Sequence, residues 1–88
     1  MKIKEGYILR SIDDQHVVVP TGAAAINFNG IITLNDTGKT LFKALKTDQD
    51  RNSLVEIILD TYAVEQPRAR QDVETFIQTL KQHDLLDE

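Results

Sequence analysis

Gly30-Ile31-Ile32-Thr33-Leu34-Asn35-Asp36-Thr37-Gly38 carries a β-branched run straight into the start of a helix. Residues 31–34 have strand composition, and Asn35 suits an N-cap because its side-chain oxygen can accept one of the orphan amides of the helix that follows. The strand therefore stops at Leu34. Alternation puts Ile32 and Leu34 on one face and Ile31 and Thr33 on the other, and Leu34 should face the helices because it immediately precedes the cap.

Upstream, Tyr7-Ile8-Leu9-Arg10-Ser11-Ile12 and His16-Val17-Val18-Val19 flank the polar connection Asp13-Asp14-Gln15, which predicts an antiparallel hairpin. Pro20 has no amide proton for a ladder, so the second strand should end near Val19. Residues 23–28 mix alanines with an alternating Ile26 and Phe28, and are read as a loop entering the third strand. Downstream, Leu41, Phe42 and Leu45 recur at helical spacing and predict a first helix running to about Lys46, with Lys43 and Lys46 near its negative end. Ser53 stands three residues before Glu56, the spacing of a capping box, and Leu54, Ile57, Ile58 and Tyr62 supply the buried face of a second helix. Pro67 fits the first turn of a third helix, in which Val73, Phe76, Ile77 and Leu80 form one stripe to about His83. The expected fold is α+β, a three-stranded antiparallel sheet followed by three helices, in one domain over residues 1–88.

The order of these pieces resembles the PqqD family, small proteins first named for pyrroloquinoline quinone biosynthesis, whose wider group is called RiPP recognition elements. The matching pieces are Phe28 through the Asn35-Asp36-Thr37-Gly38 corner, Ser53-Leu54-Val55-Glu56-Ile57-Ile58, Tyr62, Asp72-Val73, Phe76, Leu80 and Leu85-Leu86. The resemblance implies a winged-helix-like, non-catalytic domain that holds the leader of a ribosomally made precursor peptide and presents it to a modifying enzyme, often a radical S-adenosylmethionine protein that carries its own cofactors. It places the bound leader between the third strand and the last helix. The candidate peptide-binding residues are then Ile31, Ile32, Thr33 and Leu34 on the strand and Arg68, Ala69, Asp72, Val73, Phe76 and Leu80 on the helix. Arg68 and Asp72 are the candidates for polar contacts, because the helical period does not demand their burial, whereas Val73, Phe76 and Leu80 serve equally as core. The resemblance also admits a homodimer formed through open sheet edges.

Composition narrows the alternatives. Eighty-eight residues with 41% hydrophobic and 27% charged side chains lie within ordinary globular composition. A net charge of −4 with scattered basic residues argues against nucleic-acid binding, which needs clustered lysine and arginine; Arg68 with Arg70 is the one local cluster. A winged-helix DNA-binding regulator remains the alternative function. The chain has no cysteine, hence no disulfide or thiolate chemistry, and its first residues lack a signal-peptide core, so the expectation is a cytoplasmic protein with no membrane segment.

No catalytic or metal site is expected. His16 and His83 are far apart without further clustered donors, and both are read as surface or hairpin residues. The paired acidic residues at 13–14, 48–50 and 84–88 fall in predicted turns or the tail, where a carboxylate stays solvated. Gly38-Lys39-Thr40 has the ending of a phosphate loop, but Thr33 stands where that loop requires its first glycine.

Overall fold

The computed structural model describes residues 1–22, 24–27 and 31–87. Phe28, Asn29 and Gly30, which belong to the family-like stretch, lie outside the described residues. Strand β1 (Lys2–Ile3) is followed by the hairpin strands β2 (Tyr7–Ile12) and β3 (Gln15–Pro20), a one-turn helix α1 (Ala24–Asn27) and strand β4 (Ile32–Leu34). Three longer helices follow, α2 (Asp36–Ala44), α3 (Arg51–Thr61) and α4 (Gln66–Gln82), and the short strand β5 (Leu86–Asp87) ends the order. The predicted α+β architecture, a three-stranded antiparallel sheet leading into three main helices, is what the chain adopts.

The hairpin closes on Asp13-Asp14, with Ile12 opposite Gln15 and Tyr7 opposite Pro20. Asp13 has φ 54°, a left-handed conformation that aspartate tolerates better than most side chains. Pro20 occupies the last position of β3, where its missing amide costs least. Strand β4 pairs antiparallel with β3 in the register His16–Leu34, Val17–Thr33, Val18–Ile32. The order is β2-β3-β4, so β3 is central and β4 is an edge.

A three-residue strand has few ladder bonds to fix it, and here the fixing comes from burial. Ile32 and Leu34 are 4% and 8% exposed while Thr33 between them is exposed. A slip of one residue would turn both apolar side chains to solvent, at roughly 1.5–3 kcal/mol each. They meet a core built from Leu41, Phe42 and Leu45 of the α2 region, Leu54 and Ile58 of α3, and Val73, Ile77 and Leu80 of α4.

Three local expectations are corrected. The segment read as a loop contains the single turn α1, since Ala24 to Ala25 to Ile26 follow a Thr21-Gly22 turn whose carbonyls accept the amides of Ala24 and Ala25. Helix α2 ends at Ala44 with Leu45 as C-cap, so Lys46 lies in the following turn. Helix α3 is capped three residues earlier than expected: Asp50, not Ser53, is its N-cap, accepting from the Ser53 amide at 2.7 Å, and the Ser53 hydroxyl accepts from the Asp50 amide at 3.1 Å. Aspartate followed by serine makes the same reciprocal box as serine followed by glutamate, one turn earlier. Beyond these corrections, β1 and β5 pair antiparallel, joining residues far apart in the chain with no local sequence signal, supported by the burial of Ile3, Leu85 and Leu86.

Candidate functional site

The outer flank of β4 has no partner strand among the described residues, so its outward backbone donors and acceptors are open to pairing. A cleft of about 330 Å³ lies beside it. Its near wall is Thr33, Leu34 and Asn35, continued by Thr37 and Gly38 of α2; its far wall is Asp72, Thr75, Phe76 and Thr79 of α4. Thr33 and Leu34 project from opposite faces of the strand, and a cleft that touches both runs along the strand's edge. Since β3 occupies the other edge, it is the open edge that the cleft follows.

The near wall is held by a set of bonds converging on the first turn of α2. Asn35 accepts from the Gly38 amide at 2.8 Å and satisfies one orphan donor. The Tyr62 hydroxyl, arriving from the end of α3, donates to the Asp36 carbonyl at 3.0 Å and lies 2.7 Å from the Thr40 hydroxyl. Asp36 Oδ1 is 2.9 Å from His16 Nε2, and His16 Nδ1 is 2.8 Å from the Ser11 hydroxyl. In the tautomer with the proton on Nε2, His16 donates to the Asp36 carboxylate and its Nδ1 accepts from the Ser11 hydroxyl. His16 lies in the hairpin, as one of its two expected readings had it, but at 8% exposed it is buried rather than at the surface: it packs opposite Leu34 and joins the hairpin to the strand-to-helix corner. Gly38 permits the close packing there, because a β-carbon at that position would stand 3.2 Å from Leu34 Cβ and 3.3 Å from Asn35 Oδ1.

The far wall presents residues 72, 75, 76 and 79, one face of α4 over two turns. Phe76 is 5% exposed and forms an apolar floor with Leu34. Asp72 is one of two charged groups at this wall's start; its Oδ1 accepts from Arg68 Nε at 3.2 Å, with the Arg68 side chain 68% exposed and the Asp72 side chain 26% exposed. On the other side of the helix Arg51 of α3 bonds Glu74 at 2.6 Å, which ties α4 to its neighbour.

Of the residues singled out from sequence, Thr33, Leu34, Asp72 and Phe76 line the cleft. Arg68 reaches it only through its ion pair with Asp72. Ala69, Val73 and Leu80 are sealed in the core and shape the wall from behind, Ile32 lies beneath the sheet, and Ile31 stands 66% exposed ahead of the strand. Asn35, Thr37, Gly38, Thr75 and Thr79 also line the cleft and were not singled out as contacts. The three threonines carry no individual signal, but positions 72, 75, 76 and 79 share a helical face, and that spacing could have found Thr75 and Thr79.

Among the described residues, no group of three or more His, Cys, Asp and Glu side chains could hold a metal ion, and no helix is long and apolar enough to cross a membrane.

Two solved structures share this fold. TbiB1, solved in complex with the TbiA(beta) leader peptide, superposes with a TM-score of 0.74 at 23% identity, over 99% of this chain and 95% of its own. Lasso peptide synthetase B1, complexed with the leader peptide, superposes with a TM-score of 0.70 at 17% identity, over 96% of this chain and 93% of its own. No curated protein sequence matches the chain significantly. Residues 7–86 match the family model described as Coenzyme PQQ synthesis protein D, and on that match the chain belongs to the PqqD family.

Proposed function

We propose that this protein is a peptide-binding adaptor, a single domain over residues 1–88 that takes the leader segment of a ribosomally made precursor peptide on the open edge of β4 and presents it to a modifying enzyme. The observation that carries the reading is the unpaired flank of β4 running along a cleft whose opposite wall is α4. Strand addition there supplies main-chain hydrogen bonds, and the cleft receives alternate side chains for selection. Family membership and the leader peptides bound to TbiB1 and lasso peptide synthetase B1 support the same reading. The adaptor performs no reaction itself and works in the cytoplasm; its enzyme partner is of the radical S-adenosylmethionine class. Of the predicted residues, Thr33, Leu34, Asp72 and Phe76 touch the peptide, Ile31 flanks it, and Arg68 acts at the rim. Ile32, Ala69, Val73 and Leu80 hold the groove's shape. An open edge also permits pairing between two copies, which would compete with peptide.

The test is a titration of the protein with the leader peptide encoded beside its gene, followed by amide chemical shifts. Saturable binding with shifts concentrated at residues 31–38 and 72–79 is expected. Absence of saturable binding, or shifts centred on β2, would refute the adaptor reading as drawn.

A further inference from the structure

We propose that Asp72 makes the cleft selective for a leader segment that carries a lysine or arginine two residues away from a bulky apolar side chain. The inference rests on the leader-peptide reading above and adds the chemistry of the peptide.

The charge balance of the cleft is one-sided. Its walls hold threonines, an asparagine, a glycine, Leu34 and Phe76, and Asp72 is the charged residue among them; among the described residues no lysine or arginine lines it. The Asp72 side chain is three-quarters removed from solvent, and its carboxylate accepts a hydrogen bond from Arg68 through a single guanidinium nitrogen at 3.2 Å. That is long for a charge-assisted bond and far from the two-pronged geometry that makes such pairs strong. Arg68 lies one turn back on the same helix with most of its side chain in water, so a cation from the peptide can replace it without leaving a buried charge behind. A carboxylate on the peptide at the same place would instead meet Asp72 with no lysine or arginine among the described lining residues to offset the repulsion. The overall charge of −4 adds a weaker attraction for the same sign of ligand.

Spacing connects the charge to the apolar floor. Asp72 and Phe76 are four helical residues apart, a rise of about 6 Å. Side chains at i and i+2 on one face of an extended strand are about 6.8 Å apart. A peptide strand lying along α4 thus brings one inward side chain to Asp72 and the next to Phe76 and Leu34. The resulting pattern is a cation, one intervening residue and a leucine, isoleucine or phenylalanine, read in whichever direction the strand runs.

The experiment selects a displayed library of random 15-residue peptides on the immobilised full chain, and in parallel on Asp72→Asn, Asp72→Lys and Arg68→Gln, each checked for fold by circular dichroism. Wild type should enrich lysine or arginine two positions from a bulky apolar residue, Asp72→Asn should lose the basic preference while keeping the apolar one, and Asp72→Lys should prefer glutamate or aspartate at that place. For one enriched peptide, replacing its basic residue by glutamine should weaken binding roughly tenfold in wild type, the scale of one charge-assisted hydrogen bond, and leave Asp72→Asn nearly unaffected. Arg68→Gln, which removes the competing cation, should bind the same peptide more tightly than wild type. Enrichment of apolar peptides with no basic position, or a basic preference that survives in Asp72→Asn, overturns the selectivity and leaves the adaptor reading standing. No enrichment on any of the four proteins overturns both.

Discussion

Leu34 packs on the helices while bordering an open cleft, and that double position sets what its truncation should cost. Leu34→Ala removes three carbons, a transfer loss of about 2.4 kcal/mol at about 0.8 kcal/mol per group. In a sealed core a further term of about 24 cal/mol for each Å³ of residual cavity carries leucine-to-alanine losses toward about 5 kcal/mol. At Leu34 the vacated space adjoins the cleft and fills with water, so the cavity term falls away and the loss should stay near 2–3 kcal/mol. Leu41→Ala is the control, since Leu41 is fully buried on the same strand-to-helix unit and is not among the described residues lining this cleft; it should cost about 4 kcal/mol or more. A chain of this size has about 4–13 kcal/mol of total stability, so Leu34→Ala should still fold, with a melting temperature lowered by about 10–20 °C. Urea unfolding followed by circular dichroism on both variants measures the difference. A Leu34→Ala loss equal to that of Leu41→Ala would show that the site is sealed rather than open, and a loss below about 1 kcal/mol would refute its packing against the helices.

Strand addition can be read from amide exchange: successive amides of β4 point to opposite flanks, so either Thr33 or the pair Ile32 and Leu34 should exchange fast in the free protein and slow down on binding the gene-neighbour leader peptide, and fast exchange that persists at saturation would exclude the pairing. Asp50→Ala should cost about 1 kcal/mol by urea unfolding and more than Ser53→Ala, the reverse of what a serine cap would give. His16→Ala gives up bonds to Ser11 and Asp36 and should cost about 1–3 kcal/mol, whereas Asp36→Asn keeps an acceptor for Nε2 and should cost less; equal losses would mean that charge rather than the hydrogen bond holds the corner.

Much of this protein was legible in sequence because it depends on local physics. The hairpin followed from two β-branched runs around Asp13-Asp14, the end of β4 from Asn35 as a cap, and the α4 stripe from the helical spacing of Val73, Phe76, Ile77 and Leu80. Local rules erred where two choices were nearly equal, as at Asp50 and Ser53, which differ by one turn and can each begin a capped helix. The resemblance to PqqD proteins likewise needed only the order of short motifs.

The site was legible only in part. Periodicity marks Val73 and Leu80 as apolar but cannot tell a core side chain from a groove wall, because both lie on the inward stripe; their burial within the core makes that distinction. The pairing of β1 with β5, the burial of His16 between Ser11 and Asp36, and the meeting of Asp72 and Phe76 with Thr33 and Leu34 all join residues distant in the chain. Such contacts depend on how the helices close over the sheet. Sequence thus determined which segments became strands and helices and which strand ended at the corner, since those are decided within a few residues; tertiary packing alone decided that this strand's free edge would face α4 across a cleft, because that geometry is the sum of contacts no local segment contains.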